Sequence, residues 1–368
     1  VKTPSNVELT PVTGAWRESD ASGDRKFCRI GSLPLESGSC IEDVTMAYET
    51  WGTYDGSNAV LILHALTGDS HVAGPAGPGH PTPGWWDGLV GPECAIDTNT
   101  YYVVAANILG GCQGTTGPAS RRNDGAVWGS KFPTVTVRDQ VRAEIKLADQ
   151  LGINRWHTVM GGSAGGMRAL EWAIMVPDRV ERMFLLASSA AASAEQVALS
   201  ATQNAVIRAD GHFHGGEYYD CDRGPFQGLD AARRIAHISY RSEPELAERF
   251  GRHVQSDGRF AVDSYLTYHG AKLAHRFDAN SFIVLNDAMN SHDIGRGRTD
   301  IASALSLITA RCLITGIDSD RLYPLYQQQQ IADGLGVDVD VIHSIHGHDG
   351  FLIETEQVGQ LAQRLMNT

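Results

Sequence analysis

The stretch "GGSAGGMRALEWA", Gly161 to Ala173, sets one serine between pairs of glycines and then runs directly into a helical pattern. Gly161-Gly162-Ser163-Ala164-Gly165 fits G-x-S-x-G, with an apolar run ahead of it and Met167, Leu170 and Ile174 at helical spacing behind. A serine in such a strand-to-helix turn sits on a sharp, strained backbone with its hydroxyl exposed at the carboxyl edge of a sheet. Residues two positions either side must lack a Cβ so that strand and helix can pass closely. The helix N-terminus also favours negative charge developing at that point. In a chain with 40 glycines the bare pattern is common, and a glycine-rich turn with a solvated serine is the alternative. The strand before and the helix after point to a nucleophile.

A nucleophilic serine needs a base, and the base needs an orienting carboxylate. Where a strand–serine–helix turn of this kind is used, the acid follows in the chain and the histidine comes last. "CLITGIDSDRLYP" offers Asp318 and Asp320 just past a strand, and spacing does not choose between them. "VIHSIHGHDGF" offers His343, His346 and His348 past the next, with Asp349 beside them. His348, bracketed by glycines in "GHDG", stands where a ring can turn back over the sheet. His346-x-His348 lacks a carboxylate or cysteine at ligand spacing, so no metal is expected. Acyl transfer further requires two N–H donors for the oxyanion. Ala164 supplies one, and Leu66 in "LILHALTGDSH" is expected to supply the other.

The elements that must position these groups are legible as alternation. Short apolar runs recur: "VTMAYETWG", "NAVLILHALTGDS", "YYVVAANILGG", "WHTVMGGSAGG", "RMFLLASSA", "RCLITGIDSD" and "DVDVIHSIHGHDG". Such near-continuous runs are expected of strands covered by helices on both faces. Between them, "TVRDQVRAEIKLADQLGI" places Val137, Val141, Ile145, Ala148 and Leu151 on one helical face. The alternation implies an α/β fold with a mostly parallel sheet. It breaks between Ser188 and Asp300, where "AEQVALSATQNAVIRAD", "GLDAARRIAHISYR", "EPELAERFGRHVQ" and "DSYLTYHGAKLAHRF" read as helices. The expected organisation is a core of residues 1–187 and 301–368 with a helical lid insertion at 188–300. "GPAGPGHPTPGWWDG" reads as a stiff surface loop, since it lacks the glycine spacing and lysine of a phosphate cradle.

Composition narrows the function classes. The chain has 368 residues, 42% hydrophobic and 20% charged, and a formal net charge of −13. That charge argues against a nucleic-acid partner, because phosphate binding relies on basic surface. One local basic cluster, Arg121, Arg122 and Lys131, offers a contact for a polyanionic cosubstrate or is simply a solvated loop. Six scattered cysteines without C-x-x-C spacing read as reduced thiols. The N-terminal "VKTPSNVELT" has no apolar h-region, and no run approaches a bilayer span. A cytoplasmic, non-membrane protein is expected.

Six motifs in order, "HALTGDSHVAGPAGPGHPTPGWWDG", "NILGGCQGTTGP", "GGSAGGMRALEWA", "AMNSHDIGRGR", "SDRLYP" and "GHDGFLIETE", resemble the homoserine O-acetyltransferase family. The resemblance runs from about Gly31 to the C-terminus. It implies an α/β-hydrolase fold with a helical lid and a Ser163–Asp320–His348 triad. It places Asp320 at the family's "SD" position, which leaves Asp318 as a neighbour whose carboxylate either perturbs the triad or simply faces solvent. It also implies that Arg233 and Tyr240 hold the amino-acid acceptor and that Asp349 takes its ammonium. The separation of seven puts Arg233 and Tyr240 on one helical face. In one respect the chain departs from the family pattern: Ala164 stands where Ser-Met-Gly-Gly has methionine, which keeps the backbone N–H and removes a thioether.

The resemblance further implies acetyl-CoA and L-homoserine as cosubstrates, no permanently bound cofactor, a role in methionine biosynthesis and a homodimer. The rival readings are the same fold with another donor or acceptor, such as succinyl-CoA or serine, and a serine esterase that passes the acyl group to water.

Overall fold

The computed structural model describes residues 11–367, so the N-terminal "VKTPSNVELT" lies outside the described residues. Eight strands form one sheet: β1 (Lys26–Pro34), β2 (Cys40–Trp51), β3 (Ala59–Leu63), β4 (Tyr102–Ala106), β5 (Thr158–Gly162), β6 (Arg182–Leu186), β7 (Arg311–Ile317) and β8 (Val339–Ile342). Their order is β1-β2-β4-β3-β5-β6-β7-β8. Only the β1–β2 and β2–β4 pairings are antiparallel; the remaining neighbours run parallel.

The seven apolar runs each contribute one of these strands. β1 is the strand they do not announce. It lies at the sheet edge, mostly exposed, and its pairing with β2 shifts register around Gly31. An exposed edge strand has no continuous apolar run to give it away.

The central strands are buried on both faces, and their side chains alternate between two cores. Ala59, Leu61 and Leu63 of β3 join Val159, Met183, Leu185 and Trp172 on one side. Val60 and Ile62 join Met160, Phe184, Trp86 and Phe351 on the other. Helix α1 (Val137–Gln150) begins behind a Thr136–Asp139 capping box, where two otherwise orphaned backbone N–H groups are satisfied. Val137, Val141 and Ala148 are buried as the periodicity requires, with Ile145 and Leu151 half-buried behind them. Helix α2 (Ala164–Met175) leaves β5 directly at Ser163.

Between β6 and β7 the chain forms α3 (Ala194–Arg208), α4 (Phe226–Tyr240), α5 (Glu243–Phe250), α6 (Ala261–Ala274) and α7 (Ala279–Asn290). The sequence reading misses α7, capped by Asp278. It also runs α5 into Arg252–Gln255, whereas Gly251 ends that helix at φ 48°. The sheet domain then resumes with α8 (Ile301–Leu305), α9 (Leu325–Leu335), α10 (Gly350–Ile353) and α11 (Thr355–Met366).

One expectation is corrected. The loop "GPAGPGHPTPGWWDG" is not simply a surface loop: its tip is exposed, but His80 and Trp86 are buried. The Trp86 indole N–H donates to the Phe351 carbonyl at 3.1 Å, tying the loop to α10. Among the described residues no helix is long and apolar enough to cross a membrane.

Candidate active site

Ser163 joins β5 to α2 with φ 56° and ψ −123°, a left-handed backbone that an L residue adopts only under constraint. The constraint is close packing. A Cβ on Gly161 would lie 2.5 Å from the Gly165 carbonyl carbon, and one on Gly165 would lie 2.0 Å from the Leu63 carbonyl oxygen of β3. The serine is held from both sides of its peptide unit. Its N–H donates to the Leu186 carbonyl at 3.0 Å, and its carbonyl accepts the Ser188 hydroxyl at 2.8 Å.

The acid and the base meet across two loops. Asp320, past β7, accepts His348 Nδ1–H on Oδ2 at 2.6 Å. Its Oδ1 accepts the backbone N–H groups of Leu322 and Tyr323 at 2.8 and 2.9 Å, which fixes the carboxylate plane. Asp318 points elsewhere, bonded to the exposed His343 ring at 2.9 Å. Two residues along the same loop thus separate a buried acid from a solvent-facing one. Burial opposes a charge on the His348 imidazole, but Asp320 at close range, helped by Asp349, outweighs it and raises the pKa. The ring stacks on Tyr323 (centroids 4.9 Å apart) and lies 5.9 Å from the Tyr240 ring.

Ser163, Leu66, Tyr240 and Tyr323 line one cavity, walled further by Met167 and Met289. Ser163, Asp320 and His348 are each 5% exposed or less, so chemistry here takes place away from bulk water. Among the described residues no hydrogen bond joins the Ser163 hydroxyl to His348; its near neighbour is the Tyr323 phenol. Nucleophile–base bonds are commonly loose before substrate binds. The Leu66 and Ala164 N–H groups form no hydrogen bond within the described residues, so both are available to an oxyanion. Ala164 is buried at the first position of α2, and Met167, one turn on, reaches the cavity wall.

The acceptor-binding candidates converge beside this centre. The Arg233 guanidinium lies 5.2 Å from the Tyr240 ring centroid and donates to Thr67 Oγ1 at 3.4 Å, while its Nε is buried without a partner. Burial raises the Asp349 carboxyl above the usual range, against the opposing pull of Arg241, Arg233 and His348. Arg241 is the residue sequence reasoning missed. It pairs with Asp349 at 3.2 Å and with Glu245 at 3.0 Å. Its adjacency to Tyr240 in "HISYRS" was the available signal, but α4 ends at Tyr240 and the extended backbone of Arg241 turns it off the helical face.

Other expected groups stand apart. Arg122 is paired with Asp124 at 2.8 Å, Arg121 donates to the Gly125 carbonyl, and neither they nor Lys131 line the cavity. His346 pairs with Glu245 at 3.2 Å while His348 is engaged by Asp320, so the two rings serve different partners. One cluster that the sequence did not suggest brings Asp24, Glu49, His71 and His80 within 4.8 Å. Some of its ligand-type atoms are engaged within the protein, while His80 Nδ1 is buried without a partner. Glu49 accepts from Ser70 Oγ and pairs with His71 Nδ1, and His80 Nε2 accepts the Asp24 N–H. The Glu49–Ser70 and Glu49–His71 bonds help to hold the loop before Trp86.

The strand order and the serine turn define an α/β-hydrolase fold, and residues 58–335 match the alpha/beta hydrolase fold family. A homoserine O-acetyltransferase of Thermobifida fusca (strain YX) is 57% identical over 97% of both chains. The crystal structure of a homoserine O-acetyltransferase from Bacillus anthracis superposes with a TM-score of 0.87 at 28% identity, covering 94% of this chain and 97% of the other. An acetylester hydrolase from Corynebacterium glutamicum superposes with a TM-score of 0.81 at 27% identity, covering 94% and 97%. The chain belongs to the homoserine O-acetyltransferase family of acyltransferases.

Proposed function

We propose that this chain moves an acetyl group from acetyl-CoA to the hydroxyl of L-homoserine through an acyl-serine, as a step of methionine biosynthesis. The observation that carries the reading is the placement of Arg233, over the Tyr240 ring, and of Asp349 close to His348: a cation and an anion for the two charged ends of an amino acid. A hydrolase using water has no need of them.

In the first half-reaction His348 Nε2 takes the Ser163 proton as Oγ attacks the thioester carbonyl. The Leu66 and Ala164 N–H groups receive the oxyanion. The carbon–sulfur bond breaks, and His348 returns the proton to the leaving thiolate. In the second, homoserine enters with its carboxylate on Arg233 and Tyr240 and its ammonium on Asp349. His348 takes the proton of its hydroxyl, whose oxygen attacks the acyl carbon. The bond to Ser163 Oγ breaks and the serine recovers its proton. Asp320 keeps the imidazole oriented and stabilises its cationic form. The inserted helices act as a lid, and the burial of the centre favours homoserine over water.

Acetyl is proposed over succinyl because, among the described residues, no Lys or Arg lines the cavity at Ser163 and Arg233 beside it is assigned to the acceptor. The cytoplasm is the proposed location and a homodimer the proposed assembly, with the exposed apolar Ile238, Val254, Phe260 and Tyr268 of the inserted segment as its contact.

The test is intact-mass spectrometry with acetyl-CoA and, separately, succinyl-CoA, without acceptor, followed by peptide mapping. An acetyl adduct on Ser163, absent from Ser163→Ala and discharged by homoserine, is the expected result. A succinyl adduct keeps the mechanism and changes the donor. Discharge by water at the same rate as by homoserine makes the enzyme a hydrolase.

A further inference from the structure

The turn that carries the Leu66 N–H is held by bonds from two parts of the fold. Ala65–Gly68 closes with Gly68 N–H on the Ala65 carbonyl at 3.0 Å, leaving the Leu66 N–H outside the turn. His64 braces the same carbonyl from Nδ1 at 2.7 Å while its Nε2 accepts the Ile108 N–H at 3.1 Å. Both ring nitrogens are thereby assigned and the ring is neutral. Burial pushes its pKa down to about 3, with the Arg168 cation acting in the same direction. All of this comes from the sheet domain.

The remaining hold comes from the inserted helices. Arg276, in the link between α6 and α7, donates from Nη2 to the Thr67 carbonyl at 2.9 Å. Its own carbonyl is pinned by Gln113 Nε2 at 2.8 Å, and the adjacent Phe277 carbonyl accepts the Gly14 N–H at 3.1 Å. The arginine is therefore on a fixed base. Arg233 reaches the same residue, but only its hydroxyl and at 3.4 Å. When Arg233 turns to an acceptor carboxylate, that weaker contact is given up and Arg276 alone ties the turn to the inserted helices.

We infer that Arg276 is a positioning residue for the oxyanion hole, aiming the Leu66 N–H by fixing the Thr67 peptide of the turn. The inference rests on the acyl-serine reading above. Its consequence is a division of labour between two arginines that touch one threonine: Arg276 acts on both half-reactions through the oxyanion, and Arg233 acts on the acceptor. The inserted helices then contribute to catalysis directly, beyond covering the site.

The test is the pre-steady-state burst of p-nitrophenol from p-nitrophenyl acetate, with no acceptor present, in the full-length wild type, Arg276→Met and Arg276→Lys. Removing an oxyanion donor costs about 10²–10³ in rate, and misaiming one is expected to cost about 10 to 100-fold. Arg276→Met should slow the burst by that factor. It should also weaken binding of phenylboronic acid, whose tetrahedral boronate puts an oxygen in the same place, by a similar factor. Arg276→Lys, which keeps a donor for the Thr67 carbonyl, should recover most of both. If Arg276→Met does not fold, Arg276→Leu takes its place. A truncated variant that acylates at the wild-type rate, or that slows without losing boronate affinity, overturns the inference alone. A wild type that gives no acyl burst overturns the acyl-serine reading and this inference with it.

Discussion

Arg241 Nη2 lies 3.2 Å from Asp349 Oδ2, next to the His348 ring, and the same guanidinium spans to Glu245. The carboxylate proposed to receive the acceptor's ammonium thus already faces a cation. Burial raises the Asp349 carboxyl, and Arg241 is the strongest of the charges that pull it back down. Replacing Arg241 with methionine removes the largest force that lowers that pKa. The acid limb of kcat/KM for homoserine should therefore move to higher pH, while the acid limb of acylation by acetyl-CoA changes less. Parallel pH profiles for the two cosubstrates check this, and equal shifts in both would remove Asp349 from acceptor binding.

Arg233→Ala is expected to lower kcat/KM for homoserine by about two orders of magnitude, the loss of one charge-assisted bidentate contact, chiefly through KM. Mass spectrometry should still find the acyl-serine after acetyl-CoA is added. Loss of the adduct as well would place Arg233 in the first half-reaction.

His348 must be neutral to act as a base, and Asp320 raises its pKa above the ordinary 6.5. Acylation should fall as pH drops through that raised value. Asp320→Asn is expected to move the limb downward and to reduce the plateau by about 10⁴, as when a triad acid is lost. The linkage to stability has the matching sign. The contact with cationic His348 contributes fully below pH 6.5 and fades as pH rises through the folded pKa. The unfolding free energies of wild type and Asp320→Asn should converge from the acid side toward the alkaline side, which urea titrations at pH 5.5 and 9 would measure.

Gly165→Ala would set a methyl carbon 2.0 Å from the Leu63 carbonyl oxygen, a backbone atom that cannot swing aside. A cost at or above the usual ~1–3 kcal/mol of overpacking is expected, with loss of activity. Gly211→Ala, whose methyl meets nothing within 4 Å, is the control and should be neutral or stabilising by about 0.4–1 kcal/mol. Urea unfolding of the two variants side by side measures the contrast.

The serine turn was legible because its demands are local: glycine spacing, a strand before and a helix after. The choice between Asp318 and Asp320 was not, because it depends on how the loop past β7 turns, and the two side chains end on opposite sides of it. Family resemblance picked Asp320 where spacing had left both open. Arg241 and Arg276 escaped notice for a related reason. Each stands just past a helix end, where helical periodicity no longer says which way a side chain points. The buried half of the loop before Trp86 was hidden by its glycines and prolines, which read as surface although the indole seals the core against α10.

The end of β3 does two things within four residues. The Leu63 carbonyl is the surface against which Gly165 packs, and Leu66 follows in the next turn. The two N–H groups proposed for the oxyanion, 98 positions apart in the chain, therefore both take their place from one strand end. The segment from Leu63 to Thr67 thus serves both halves of the proposed oxyanion site, with its far end tied down by Arg276.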